Sequence, residues 1–287
     1  MTVIMHDAVQ MLSVAAREAF RRGALADIAY ADDTLLLSVS PSFLQEYLIA
    51  ITKAGQLYGL ELHNGKLQLL NVRCNTTLLT LDGELVNSSP QMTYLGGTLD
   101  DTGGMQNELT RRLGAAKGHF RTLAKVWKSS TLPCKKKLRI FESLVLSKVL
   151  HGLAAGCFNV AQRRQLDAFQ ARCLRIMLRI LPAFYSRTSN KEVLRRAGTP
   201  KLLSQLVLEQ QLDLLGKVLR APTRHVLRTC AFEVGECPVV AFFVRRTGRP
   251  RVEWAPYLLH EARRRTTSSL SDLASNRPAW WKAMRTV

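Results

Sequence analysis

Two adjacent carboxylates, Asp32 and Asp33, stand between two short apolar runs in Ile28-Ala29-Tyr30-Ala31-Asp32-Asp33-Thr34-Leu35-Leu36-Leu37. Each run has the length of a β-strand, and Ala-Asp-Asp suits a tight turn because Asp tolerates unusual backbone angles. The spacing predicts a β-hairpin with both carboxylates at its tip. Carboxylates held that close repel each other unless a cation lies between them. Mg²⁺ is the natural cation for all-oxygen ligands shared with phosphate. Such a pair is suited to two-metal nucleotidyl transfer. The other reading is a surface turn that carries two Asp, but Tyr30 in front and apolar strands on both sides favour the first.

A second set of chemistry-bearing residues falls on a helix expected over 162–181. Leu166, Phe169, Cys173, Met177 and Ile180 are expected to face inward, while Arg172, Arg175 and Arg179 stack on another face at spacings of three and four. Like charges on one stripe cost stability in isolation and are neutralised if phosphates lie along them. A solvated face is the alternative.

The elements that must position these residues sit in a chain of 287 residues, 47% hydrophobic and 22% charged, which is enough for one large domain or two ordinary ones. The formal net charge of +19 points to a polyanionic partner, most often nucleic acid. The charge is uneven. Residues 1–104 hold 6 Lys+Arg against 11 Asp+Glu, a net of −5, and residues 105–287 hold 35 against 11, a net of +24. An acidic front followed by a basic remainder suits a metal site beside a phosphate track. The 6 Cys contain no C-x-x-C pair, so neither a disulfide framework nor a zinc signature is expected, and the spacing of His225, Cys230 and Cys237 is irregular for a metal cluster. No apolar run reaches membrane-spanning length, and the N-terminus lacks the basic start of a signal peptide. The nucleus or cytoplasm is expected, and secretion is not.

In order, residues 2–22 read as one helix closed by Arg17, Arg21, Arg22 and Gly23. Strand 34–39 ends at Pro41, and a helix follows over 42–58. An apolar strand is expected over Leu67 to Val72, then a hairpin around Asp82-Gly83, then Tyr94-Leu95-Gly96-Gly97 at the end of another strand. From Met105 the chain becomes helical and basic, with a break at Pro133 and Lys135-Lys136-Lys137. Ser189 and Glu192 have capping-box spacing with Gly198 as the stop, and Thr199-Pro200 are expected to open the next helix. Residues 221–256 read as connection.

Tyr30-Ala31-Asp32-Asp33 resembles motif C of reverse transcriptases, in the form found in LINE-type (non-LTR) retrotransposons and group II intron proteins. The order of the later signals resembles the same family: helix 42–58, Gly59-Leu60 with Lys66, the Asp82-Gly83 hairpin, Tyr94-Leu95-Gly96, then basic helices. Leu215-Gly216-Lys217-Val218-Leu219-Arg220, Gly248-Arg249-Pro250 and Trp254 resemble strings in the post-thumb region of LINE-type proteins. The resemblance implies an α+β fold. A partial reverse-transcriptase palm of antiparallel β-hairpins with helices (1–104) would precede a mainly α-helical thumb (105–185) and a basic post-thumb region (186–287). It implies Asp32 and Asp33 as Mg²⁺ ligands and Lys66 beside the leaving pyrophosphate. Tyr30 would lie under the primer terminus, with Tyr94, Leu95 and Gly96 as the primer grip. The partners implied are an RNA template and a DNA primer.

The pattern also departs from the family. His63 and Leu67 stand where motif D usually has Asn and Thr. Residues 1–29 hold no counterpart of the motif A carboxylate, the fingers or the motif B loop; Asp7 and Asp27 are not placed to substitute. The expectation is the C-terminal part of an RNA-directed DNA polymerase, with weak or absent Mg²⁺ binding and no activity alone. The alternative is a non-catalytic nucleic-acid-binding protein built from palm and thumb.

Overall fold

A computed structural model describes residues 2–31, 33–198, 201–223, 225–233, 235–239 and 252–285. The chain is α+β and divides into two compact units, Met1–Asn107 and Glu108–Val287. The boundary lies three residues past the one expected from the sequence, so the charge division is unchanged: −5 in the first unit and +24 in the second.

The first unit opens with α1 (Thr2–Met11) and α2 (Val14–Arg21). The single helix expected over 2–22 is broken at Ser13, which caps α2 by accepting from the Ala16 amide at 3.2 Å. Ser13 also donates its amide and, at 3.0 Å, its hydroxyl to the Glu46 carboxylate. A Ser that satisfies backbone donors this way competes with helix continuation. The break re-phases the buried face, so Ile4, Met5, Ala8, Leu12, Ala16 and Ala19 are buried while Val3, Met11 and Val14 are exposed. Strands β1 (Leu25–Tyr30) and β2 (Asp33–Ser38) pair antiparallel. Helix α3 (Pro41–Leu57) follows, with Pro41 in its first turn, where a missing N–H costs nothing. Leu25 and Leu36 of the hairpin join Tyr47, Ala50 and Ala54 of α3 and the buried residues of α1 and α2 in one core.

Downstream the strands are short. Gln68–Leu69 (β3) pairs parallel with Asn87–Ser88 (β4), so only two residues of the expected strand 67–72 enter a ladder. The Asp82-Gly83 turn is formed, with Gly83 at φ 81° and the Leu79↔Leu85 bridge beside it. Gln91–Tyr94 (β5) and Gly97–Asp100 (β6) form a second antiparallel hairpin, so Tyr94 ends a strand as expected and Leu95-Gly96 make the turn.

The second unit is helical. Helix α4 (Gln106–Thr122) buries Leu109, Leu113, Ala116 and Phe120, and α5 (Ala124–Lys128) buries Trp127, whose ring stacks on Phe120 at 5.0 Å. Helix α6 (Cys134–Ile140) runs through a π turn, Phe141–Leu146, into α7 (Ser147–Leu150). The Lys135-Lys136-Lys137 run therefore lies within α6 rather than at a break, and Lys137 is buried, donating to the carbonyls of Trp127 and Ser129 at 2.9 and 2.7 Å.

Helix α8 (Val160–Met177) begins in a capping box between Asn159 and Gln162. Then come α9 (Ala183–Ser186), α10 (Asn190–Ala197) and α11 (Leu203–Arg220). Ser189 caps α10 as its spacing predicts, and Gly198 ends it at φ 74°. Thr199 and Pro200 lie outside the described residues; α11 itself begins at Leu203, behind Leu202. Helices α10 and α11 both pack on α8, and Gln170 bonds Lys201 O and Leu203 N, so the division expected at 185/186 runs through one unit. A last cluster joins α11 to α12 (Val226–Thr229), α13 (Trp254–Arg263), α14 (Leu270–Ser275) and α15 (Arg277–Arg285) around Leu212, Leu215, Leu258 and Trp280. Gly248-Arg249-Pro250 lies outside the described residues. No helix among them is long and apolar enough to cross a membrane.

Candidate active site

The β1–β2 register closes on Tyr30↔Asp33, so the connection between the strands is tight, and Ala31 lies in its turn. Such turns match the right-handed twist of the strands only when their residues take positive φ, and Ala31 sits at φ 55°. Asp32, the principal metal ligand implied by the resemblance, lies outside the described residues. The sequence placed both carboxylates at the tip. In the fold Asp33 is instead the first residue of β2, directly opposite Tyr30.

Strand alternation then assigns two faces. Leu25, Asp27, Leu36 and Ser38 share one face, and Leu25 and Leu36 pack into the α1–α3 core. Asp27 accepts a 3.0 Å hydrogen bond from the Tyr47 hydroxyl. Burial, then the charge and hydrogen bond of Asp27, raise the Tyr47 pKa. Ile28, Tyr30, Asp33, Leu35 and Leu37 share the other face. Tyr30 is 64% exposed, and Ile28 and Leu37 are exposed beside it. Asp33 is exposed too and has no side-chain hydrogen bond or ion pair among the described residues, so its oxygens remain available to a ligand. Asp27 and Asp33 point to opposite faces, so Asp27 does not complete a set of three carboxylates with the hairpin pair. Among the described residues, which exclude Asp32, no three His, Cys, Asp or Glu side chains gather closely enough to hold a metal ion.

The β5–β6 hairpin reaches the same strand. Its turn, Leu95-Gly96, has φ 48° and 72°, and the Tyr94 hydroxyl donates to the Ile28 carbonyl at 2.9 Å. Tyr94 is half-buried and Leu95 exposed. The fold thus joins Tyr30, Asp33 and Tyr94 through β1. Lys66 is exposed on a 3₁₀ turn, Asn64–Lys66, and makes no hydrogen bond or ion pair with Tyr30 or Asp33 among the described residues. Asn64 in that turn faces Asp82 and Glu84 at 3.4 and 3.3 Å.

The arginine stripe expected on one helix face is not formed. Helix α8 ends at Met177, and Arg179 takes φ 56° just past its end. The Arg179 and Ile180 amides bond back to Ile176 O and Arg175 O, a C-terminal motif usually built on glycine. The Arg179 side chain then donates to Lys128 O at 2.7 Å. Arg175 is buried, at 8% exposure, and binds Leu181 O, Ser186 Oγ, Thr188 O and Asn190 Oδ1. It holds a loop rather than a phosphate, which corrects its expected role. Arg172 alone of the three stays exposed on the helix. Sequence reasoning missed what Arg175 holds up: Phe184 and Tyr185, 78% and 71% exposed. Two aromatics between Pro182 and Arg187 were the available signal.

Cys157 is half-buried and Cys173 buried; burial pushes their thiols up to about 11 and about 12. Comparison of the chain with family models, curated proteins and solved structures returns no match.

Proposed function

We propose that this chain is part of an RNA-directed DNA polymerase of a LINE-like retroelement, with β1–β2 carrying half of its metal site and the Glu108–Val287 unit binding nucleic acid. One observation carries the reading. Tyr30 and Asp33 face each other across a tight turn on the uncovered face of a hairpin whose strand also receives the Tyr94 hydroxyl. The Tyr-Ala-Asp-Asp order and the +24 charge of the second unit support it.

Mg²⁺ would supply charge stabilisation for attack of a primer 3′-hydroxyl on an incoming deoxynucleotide. The donor set fits in part. Adjacent carboxylates at 32 and 33 are hard oxygen ligands, and Asp33 is exposed, but Asp27 faces away. Two carboxylates alone hold Mg²⁺ weakly, so the chain by itself binds nucleic acid without extending a primer. Lys66 would stand near the leaving pyrophosphate only if its turn approaches the hairpin.

The test is primer extension with purified protein, an RNA template, a DNA primer, deoxynucleotides and Mg²⁺, beside oligonucleotide binding across salt. The expected result is tight, steeply salt-dependent binding without incorporation. Robust incorporation that Asp32→Ala abolishes would overturn inactivity of the chain alone and establish the metal site. Absence of nucleic-acid binding would sink the whole reading. The second reading, a non-catalytic nucleic-acid-binding protein, is favoured by the orientation of Asp27 away from Asp33. It expects binding unaffected by Asp32→Ala or by Mg²⁺.

A further inference from the structure

Helix α9 is a single turn, entered through Pro182 and left through Arg187 at φ 52°. A four-residue helix has little stability of its own. Its conformation is set by Arg175, whose guanidinium bonds the loop at Leu181 (3.1 Å), Ser186 (3.4 Å), Thr188 (2.7 Å) and Asn190 (3.0 Å). Burying a cation to fix four groups of one loop is costly, and what the loop presents is apolar. Phe184 and Tyr185 are exposed with ring centroids 5.3 Å apart and planes at 84°. Leu181 beside them is 63% exposed. Two aromatic rings rarely stay this open in a folded surface unless something covers them.

The surrounding charge selects the occupant. Between Asp167 and Glu192 the sequence holds Arg172, Arg175, Arg179, Arg187 and Lys191 and not one carboxylate. All of these cations except the buried Arg175 are exposed. Rings set edge to face make a corner in which one ring offers its face and the other its edge. Exposed aromatic faces within a basic surface are how proteins hold unpaired bases, whereas a duplex keeps its base faces stacked away from side chains.

We infer that Phe184 and Tyr185, held by Arg175, form a base-stacking corner for single-stranded nucleic acid, with Arg187 and Lys191 on the adjoining phosphates. The inference deepens the proposed nucleic-acid binding and rests on it.

Fluorescence anisotropy tests it, with the full chain, a 12-nucleotide uridine-rich single-stranded RNA and a blunt RNA duplex of the same length. The double variant Phe184→Ala/Tyr185→Ala should weaken single-strand binding about tenfold or more and leave the duplex unchanged, because stacking contributes per exposed base. Its salt slope should match the wild type, while Arg187→Ala should lower that slope by about one. Phe184→Tyr/Tyr185→Phe should restore binding. Both rings are exposed, so an unchanged melting temperature of the alanine variant would separate lost stacking from lost folding. Equal single-strand affinity, equal loss for the duplex, or dissociation of a wild-type oligomer by the alanine variant would overturn the corner and leave general nucleic-acid binding standing. A wild type that binds neither probe would overturn both.

Discussion

The Tyr94 hydroxyl donates a 2.9 Å hydrogen bond to the main-chain carbonyl of Ile28, two residues before Tyr30. A residue 66 positions downstream is thereby tied to β1, the strand that pairs with the one Asp33 begins. Tyr94→Phe keeps the ring and removes only this bond. We expect a loss of about 1 kcal/mol in urea unfolding, the usual net value of such a bond. A variant as stable as the wild type would mean that water replaces the hydroxyl without loss.

Leu95 occupies a left-handed turn position at φ 48°, where a non-glycine residue costs about 1 kcal/mol, and its side chain is 44% exposed. Asn tolerates this conformation better than Leu. Leu95→Asn should therefore raise stability by about 0.5–1 kcal/mol in thermal unfolding. If Leu95 contacts a primer, the same variant should bind a primer–template duplex more weakly. A gain in stability with unchanged affinity would remove Leu95 from the interface.

Gly216 meets the indole of Trp280: a Cβ built there lies 2.6 Å from Nε1 and 2.8 Å from Cε2. Trp280 is fully buried and donates to Leu212 O at 3.1 Å, so it has no room to retreat. Helix propensity alone would make Gly216→Ala stabilising by about 1 kcal/mol. Overpacking reverses the sign, and a net loss of about 1–3 kcal/mol is expected in chemical unfolding. Stabilisation by Ala would show that α15 can shift away from α11.

Arg175 has an energetic role beyond the stacking corner. Arg175→Ala strips partners from two carbonyls, a hydroxyl and an amide at once. We expect about 2–4 kcal/mol of lost stability. Limited proteolysis should then cut within 179–190 faster than in the wild type. Arg175→Lys should recover little, because an ammonium lacks the planar fork that spans four acceptors. Resistance to cleavage in the Ala variant would show that the loop holds itself.

Glu192, at the start of α10, accepts from Arg195 at 2.7 Å and from Arg196 at 2.8 Å. These hydrogen bonds hold its carboxyl down at about 2, against an ordinary 4.5. The folded pKa is depressed, so the contribution is complete above about pH 4.5 and is lost as pH falls toward 2. A carboxyl-resolved NMR titration should place the Glu192 midpoint near 2, and Arg195→Gln should raise it. A midpoint near 4.5 in the wild type would show that the pairs are not populated in solution.

Features that depend on neighbours along the chain can be read from residue order. The β1–β2 hairpin is legible because two apolar strand-length runs flank a turn-forming Ala-Asp-Asp, although the register that draws Asp33 into β2 is not. The cap at Ser189 and the stop at Gly198 are legible because capping joins residues three or four apart. The separation of a slightly acidic front from a basic remainder is a property of composition alone.

What each of these features meets depends on packing between distant segments. Periodicity put Arg172, Arg175 and Arg179 on one stripe. Only the end of α8 at Met177, and the loop that folds back over it, turns Arg175 inward and carries Arg179 off the helix. The break at Ser13 depends on Glu46, 33 residues away, and the need for a glycine at 216 depends on Trp280. Asp27 and Asp33 are six residues apart in sequence, yet the core formed by α1–α3 takes one face of the hairpin and leaves the other open. Hydrophobic patterning records that a side chain is to be buried or exposed. The partner it then meets comes from distant segments, and that choice rests on packing and hydrogen-bond geometry that no local period encodes.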